Sequence, residues 1–255
     1  MADLAAMRHI NLIEYLKGVR FAGVEELASV LGVTQQTIRK DLDLLAGQRQ
    51  LTRVRGGAML ESRLDNIGHA ARRAMAAAAK DAIGRRAAAL VPDNASLFLN
   101  IGTTTEAVAR ALLDHDHLLV VTNNLNVADI LGAKSGIEVI VAGGRLRSAD
   151  RAVVGALTVD FIRGFKVDYA VIGTSALDDE GDLLDFDINE VKVSQTIIAQ
   201  ARRVMLVADA TKFERQAPAR IGSLSDVDIF VTDTMPDARR AAFAERHGVD
   251  IVLAG

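Results

Sequence analysis

Residues 96–113 read SLFLNIGTTTEAVARALL, and this stretch decides the fold class. An apolar run of strand length is followed at once by a glycine, three threonines and a helical pattern. Glycine permits a tight turn here, and the start of the next helix offers free N–H groups and a positive dipole end. Such a helix start favours an anion. The predicted anion-binding residues are Gly102, Thr103, Thr104 and Thr105; in the alternative, one threonine only caps the helix.

The same alternation of strand and helix continues to the C-terminus. Six further apolar runs have strand length: LLVVTN, IEVIVAGG, YAVIGT, VMLVAD, DIFVTD and VDIVLA. Helical patterns fit between most of them, at Glu106–Leu113, Asn126–Leu131, Val154–Phe165, Glu190–Ala199 and Asp237–His247. Uniformly apolar strands that alternate with helices indicate a mostly parallel sheet covered on both faces, so the fold class is α/β.

The first 60 residues have a different pattern, that of short helices. Met7, Ile10, Ile13 and Leu16 repeat at helical spacing in the first one. The stretch VEELASVLGVTQQTIRKDLDLL then predicts a helix over Val24–Leu31, with Leu27, Val30 and Leu31 inward, a break at Gly32, and a helix capped by Thr34. Ile38, Leu42 and Leu45 lie on one face of this last helix, and LTRVRGGAML predicts a hairpin wing after it.

The outward face of the third helix has the composition of a DNA-reading surface. Between Thr34 and Ala58 five basic residues oppose two acidic ones, a net charge of +3, whereas the whole chain carries −3. Glutamine and arginine can bond to base edges, and lysine and threonine suit phosphates. The predicted DNA-binding residues are Thr34, Gln35, Gln36, Thr37, Arg39, Lys40, Arg53 and Arg55, and Arg49 completes the basic set. The alternative is a small helical domain that packs on a protein partner.

Three parts of the chain follow from these patterns. Residues 1–60 are predicted to form a winged helix-turn-helix domain, and residues 93–255 an α/β domain. Residues 61–92 connect them, because the alanine-rich stretch from His69 to Leu90 predicts a helix that stops before Pro92.

Several other predicted strands also end in polar or glycine residues. In an open α/β sheet, ligands bind outside the carboxyl ends of the strands, so these ends are expected to converge with the threonines. Gly173-Thr174-Ser175 and Asp209 are two such ends. The further candidate residues are Asn123, Asn124, Gly143, Gly144, Arg145, Asp185, Glu190, Lys192 and Lys212. The alternative for Asp185 and Glu190 is a solvated loop and a favourable charge at a helix start, and for Lys192 and Lys212 it is surface solvation.

Composition excludes several classes of protein. The chain has no cysteine, which rules out disulfides and thiolate metal sites, and we predict no metal site and no cofactor. Neither a Walker loop nor a G-x-G-x-x-G motif occurs, so no nucleotide is indicated. There is no apolar run of membrane length and no signal peptide pattern, so the expected location is the cytoplasm, away from membranes.

Two sets of motifs resemble the DeoR family of bacterial transcription regulators. The first is ELASVLGVTQQTIRKDLDLLAGQRQLTRVRGGA, where Arg55 replaces the histidine usual before the two glycines. The second set is SLFLNIGTTTEAVARALL, VTNNLNVADIL, VAGGRLR, VVGALTVDFI, GDLLDFDINEVKVSQTII and LVADATKF. The resemblance implies an effector domain similar in fold to sugar-phosphate isomerases.

The resemblance also implies a function. The chain is expected to be a repressor that binds operator DNA as a homodimer or homotetramer and controls glycerol and glycerol-3-phosphate metabolism. A phosphorylated polyol, sn-glycerol 3-phosphate or another sugar phosphate, would release it from DNA. The rival hypothesis is a sugar-phosphate isomerase in which Asp185 or Glu190 is the general base and Lys192 stabilises charge.

Overall fold

The computed structural model describes residues 2–19, 21–47, 51–54, 56–59, 72–73 and 75–255. The chain divides into two compact units, Met1–Asp65 and Asn66–Gly255. Arg49 and Arg55, and residues 61–71 and 74 of the expected connector, lie outside the described residues.

The first unit is a small helical domain with a three-stranded sheet. Its helices are α1 (Ala2–Val19), α2 (Val24–Leu31) and α3 (Gln35–Gly47). Its strands are β1 (Phe21–Gly23), β2 (Thr52–Val54) and β3 (Gly57–Met59), antiparallel in the order β1-β3-β2. The helix-turn-helix and the hairpin wing are therefore present as predicted.

Local chemistry explains the turn between α2 and α3. Gly32 ends α2 with a φ of 65°, a conformation that favours glycine. The N–H of Thr37 donates to Thr34 Oγ1 at 3.2 Å, which caps α3. Ile38 is fully buried, as are Leu42 and, almost completely, Leu45.

The predicted apolar faces of α1 and α2 were partly wrong. Met7 and Ile10 are more than half exposed, and Val30 is 50% exposed, whereas Leu12 and Leu16 are fully buried. The reason is that α1 turns a different face inward than the one drawn through Met7 and Ile10. A salt bridge between Arg8 and Asp41 of α3 holds that orientation.

The second unit is built on a seven-stranded parallel sheet in the order β15-β14-β12-β9-β4-β5-β6. Its strands are β4 (Ser96–Leu99), β5 (Leu118–Thr122), β6 (Ile137–Val141), β9 (Val167–Ile172), β12 (Ala201–Val207), β14 (Ile229–Thr232) and β15 (Asp250–Leu253). They correspond to the seven predicted runs, which confirms the α/β class.

Helices cover both faces of this sheet. On one face lie α4 (Ala77–Ala88), α5 (Thr103–Ala111) and α6 (Leu125–Leu131); on the other lie α7 (Ala156–Arg163), α8 (Ile188–Ala199) and α9 (Ala238–His247). Successive strand residues alternate between the two cores: Leu97 and Leu99 pack with Ile83 of α4, and Phe98 packs with Ile162 of α7.

Sequence patterns did not predict two antiparallel additions. One is the hairpin of β7 (Arg145–Arg147) and β8 (Ala152–Val154); the other is the sheet of β10 (Ala176–Leu177), β11 (Asp182–Asp185) and β13 (Ala219–Ser223). The helix predicted from Val154 starts only at Ala156, because Val154 belongs to β8.

Helix α4 is a packed element of the second unit. Ile83 and Ala87 are fully buried in the core that also contains Val108 of α5. The two helices approach closely at Gly84: a Cβ there would lie 2.6 Å from the carbonyl carbon of Ala107. Only glycine allows this contact, since backbone atoms cannot move aside as a flexible side chain can.

Replacing Gly84 with alanine should therefore destabilise the second unit, although alanine is the better helix former. We expect the free energy of unfolding to fall by about 1–2 kcal/mol in urea titrations, because overpacking outweighs helix propensity. At the exposed Ala78 of the same helix the order should reverse, so that Ala78→Gly is destabilising. An increase in stability for Gly84→Ala would contradict the packing described here.

Candidate functional site

A cleft lies where the strand order of the parallel sheet reverses. From β4 the chain adds β5 and β6 on one side, and then β9, β12, β14 and β15 on the other. The connections after β4 and β9 therefore diverge and leave a crevice, the usual ligand position in such sheets. The residues that line it are Arg72, Ile101, Gly102, Thr103, Thr104, Thr105, Asp150, Gly173, Thr174, Ser175, Asp185, Glu190, Val207 and Lys212.

The N-terminus of α5 lies in this cleft without a side-chain cap from any described residue. Thr105 Oγ1 donates to the carbonyl of Gly102 at 2.8 Å. Gly102 has a φ of 139°, which lets the chain turn sharply from β4 into the helix. The cap that would explain the threonines structurally is thus absent from the part of the chain described.

Lys212 brings a buried cation to the same cleft. It lies in a short 3-10 turn after β12 (Ala210–Glu214), and only 8% of the residue is exposed. Among the described residues its ammonium group has neither a hydrogen bond nor an ion pair. Burial lowers the pKa of Lys212 to about 8; Arg215, Lys80 and Arg72 act in the same direction, and Asp209 opposes them. Such a group gains strongly from an anionic ligand.

Other buried polar atoms nearby also lack partners. Arg72 Nε, Arg215 Nη2 and Asp209 Oδ2 have none within the described parts of the chain. Burial also lowers the pKa of Lys80 and of Arg215, and in both groups the charge of Arg72 adds to the shift. Buried donors are normally satisfied, so a cluster of unsatisfied cations indicates a site for an anion.

Carboxylates also line the cleft. Asp185 accepts from Ser175 Oγ at 2.8 Å and is 4% exposed. Arg147 donates to Glu190 at 2.6 Å, to Asp187 at 2.7 Å, and to both oxygens of Asp150. Burial raises the pKa of Glu190 to about 8, and the charge of Asp185 adds to this against the effect of Arg147. Carboxyl groups of this kind can bond to the hydroxyls of a ligand.

The structure brings together about half of the candidate residues and leaves six of them outside the cleft. Asn123 bonds to the hairpin through the carbonyl of Val153, at 3.1 Å, and Asn124 caps α6. Arg145 and Lys192 are exposed, and the carbonyl of Gly143 accepts from Thr158. Asn123 and Asn124 follow β5, and Gly143 and Gly144 follow β6, where the β7–β8 hairpin occupies the strand ends. Arg145 belongs to the hairpin itself, and Lys192 is exposed on α8.

Sequence reasoning also missed several cleft residues. Arg72 comes 30 residues before the glycine turn, and no local pattern links the two. In the VAGGRLR segment Arg147, rather than Arg145, donates to the carboxylate of Glu190. The alternation of polar and apolar residues from Arg145 to Arg147 predicts a short strand, and this pattern could have indicated the hairpin that carries Arg147.

The first unit presents the predicted DNA-binding residues on one helix and the wing. Thr34, Gln35, Gln36, Arg39 and Lys40 are exposed, and Thr37 is half-buried. Arg53 of the wing lies 3.2 Å from Asp43 of α3. Asp41, by contrast, is buried against Arg8 and His9. Burial alone would raise the pKa of Asp41, but these two hydrogen bonds hold it below its usual value.

Two classes of site are absent from the described residues. No helix among them is long and apolar enough to cross a membrane. Nor do they contain a group of three or more histidine, cysteine or acidic residues able to hold a metal ion.

Comparison with known proteins assigns both units. The model of the DeoR-like helix-turn-helix domain matches residues 8–63, and that of the DeoR C terminal sensor domain matches residues 75–234. A ribose 5-phosphate isomerase A from Neisseria gonorrhoeae matches over 52% of each chain, with a TM-score of 0.39 and 12% identity.

Relatives match over nearly the whole chain. The glycerol-3-phosphate regulon repressor of Escherichia coli is 42% identical over 96% of this chain and 98% of its own length. That of Haemophilus influenzae is 42% identical over 91% of both chains. The HTH-type transcriptional repressor CsqR of Escherichia coli is 37% identical over 96% of this chain and 94% of its own. The chain therefore belongs to the DeoR family of helix-turn-helix transcriptional repressors.

Proposed function

We propose that this repressor binds operator DNA through α3 and the wing, and that a phosphorylated polyol bound in the cleft of the second unit releases it. One observation carries the effector part of the proposal: the ammonium of Lys212, a residue only 8% exposed, has no partner among the described residues and lies in the cleft that holds the uncapped start of α5. A helix N-terminus and a lysine together suit a phosphate group.

The two sides of the cleft match the two ends of such a ligand. The N–H groups of α5, with Lys212 and Arg72, form the cationic side. Asp185 and Glu190 form the acidic side, where hydroxyl groups would donate. A small molecule with a phosphate at one end and hydroxyls at the other satisfies both, whereas glycerol or inorganic phosphate alone satisfies one.

Among phosphorylated polyols we favour sn-glycerol 3-phosphate, and with it the control of glycerol metabolism. Support comes from the names of two relatives at 42% identity, which are repressors of the glycerol-3-phosphate regulon. Another repressor is almost as similar, at 37% identity, so the relatives alone do not select the effector. Another sugar phosphate, which has the same phosphate and hydroxyl groups, is the alternative. The isomerase hypothesis is not retained, because the chain is a regulator and its Lys192 lies outside the cleft.

Operator binding is assigned to the exposed face of α3. Gln36, Arg39 and Lys40 are free to enter a major groove, where glutamine and arginine read base edges. Helix-turn-helix proteins usually bind two half-sites as symmetric dimers. We therefore propose that the repressor acts as a homodimer or homotetramer.

Thermal unfolding of the purified protein tests the effector. At 100 times its dissociation constant, sn-glycerol 3-phosphate should stabilise the fold by about 2.7 kcal/mol, or about 5–10 °C. Glycerol should give no shift, and inorganic phosphate and larger sugar phosphates smaller ones. Lys212→Met should abolish the shift, and Lys192→Met, which removes an exposed lysine outside the cleft, should keep it. Equal shifts in both variants would refute the proposed site.

The affinity for this ligand should fall as the pH rises above about 8. Lys212, with a pKa of about 8, then loses its positive charge, and Glu190, also near 8, becomes negative. Both changes weaken the attraction for an anion, while a phosphate monoester keeps its charge above about pH 7. Calorimetric titrations should show a roughly tenfold weaker affinity at pH 9.5 than at pH 7. A constant affinity over this range would count against both assignments.

Arg39 tests the DNA surface. An operator duplex is first selected from a random library by the full-length protein. Arg39→Ala should then weaken binding to it by about 1–3 kcal/mol if the guanidinium reads a base. Arg163→Ala removes the same charge from the surface of the second unit and should leave binding unchanged. Unaltered affinity of Arg39→Ala would show that another residue reads the DNA.

A further inference from the structure

Arg72 is the first described residue after residues 60–71, the stretch of sequence that leads from the first unit. It also lines the cleft of the second unit. Its side chain is 16% exposed, and its Nε is buried without a hydrogen-bond partner among the described residues. The position of Arg72 in the sequence thus joins the ligand cleft to the segment that leads from the DNA-binding unit.

Among the described residues the guanidinium of Arg72 has one ion pair and no hydrogen bond. The ion pair is with Asp150, with Nη2 at 3.8 Å from Oδ2. Both oxygens of Asp150 already accept from Arg147, at 2.9 and 2.6 Å. At 3.8 Å Arg72 makes no hydrogen bond to Asp150, so a bound anion within hydrogen-bond distance would be the stronger partner.

The backbone around Arg72 is tied to the same site. Lys80 Nζ donates to the carbonyl of Arg72 and, at 2.6 Å, to that of Met75. Arg73 Nη2 donates at 3.0 Å to Glu106, which lies in the first turn of α5. This turn also carries the threonines of the cleft, so Arg72 and Arg73 both reach elements that a ligand would contact.

We propose that Arg72 contacts the anionic group of the effector and thereby couples occupancy of the cleft to the segment that leads from the DNA-binding unit. The inference rests on the proposed function. When the anion binds, Arg72 turns from Asp150 to the ligand, and the backbone of residues 72–80 becomes more firmly fixed. Linkage requires that the effector favours a state with lower DNA affinity; Arg72 is the contact that would differ between the two states.

Hydrogen exchange of the full-length protein measures this coupling directly. Saturating sn-glycerol 3-phosphate, with inorganic phosphate as the simpler probe, should slow exchange of the amides in residues 72–80. In Arg72→Met the affinity should fall by at least about tenfold, because a charge-assisted hydrogen bond is lost. At saturation this variant should show neither the slower exchange nor the release of the selected operator duplex. Arg72→Lys should recover part of both effects.

A matched control lies in the same segment. Arg86 is exposed on α4 outside the cleft, so Arg86→Met removes an equal charge and should behave like the unaltered protein in all three measurements. Normal affinity or normal operator release by Arg72→Met would overturn the inference. So would unchanged exchange at residues 72–80 when thermal unfolding shows that ligand is bound. If no probe shifts the thermal unfolding of the unaltered protein, the effector site itself is wrong, and the inference with it.

Discussion

The reversal of strand order between β4 and β9 is the constraint on which the second unit depends. The connections that follow these two paired strands run to opposite sides, so a gap remains outside the carboxyl ends of the strands. The start of α5 and the turn at Gly173 border this gap from its two sides. The remaining parts of the site, Lys212 after β12 and Asp185 in β11, are placed by elements that the chain adds around it.

Charges of the same sign lie close together at two places in and around the cleft, and their repulsion is unfavourable in the free protein. Lys212 and Arg215 are buried among other cations, which lowers the pKa of both. On the acidic side one guanidinium, that of Arg147, serves three carboxylates. A ligand with an anionic end and a hydroxyl end would bind to both sets of groups.

Sequence patterns predicted the parallel sheet and the helix-turn-helix because both depend on local periodicity. The glycine turn and its threonines were equally visible, since one strand and the following helix bring them together. Arg72 was missed because only tertiary packing brings it to the cleft, from a segment 30 residues upstream. Arg147 was missed because it belongs to an unpredicted hairpin and reaches Glu190 of the cleft only in the folded chain. That hairpin also explains why Asn123 and Arg145, which end predicted strands, lie outside the cleft.

The charge of the recognition surface shows the same difference between pattern and structure. The segment from Thr34 to Ala58 contains two acidic residues, Asp41 and Asp43. Asp41 is buried and bonded to Arg8 and His9, so it does not contribute to the surface. The other, Asp43, pairs with Arg53 at 3.2 Å while two-thirds of its side chain is exposed. Exposed pairs of this kind contribute at most about 1 kcal/mol, so a DNA phosphate can displace Asp43 from Arg53 at little cost. Burial of Asp41 therefore removes one negative charge from the surface proposed to bind DNA.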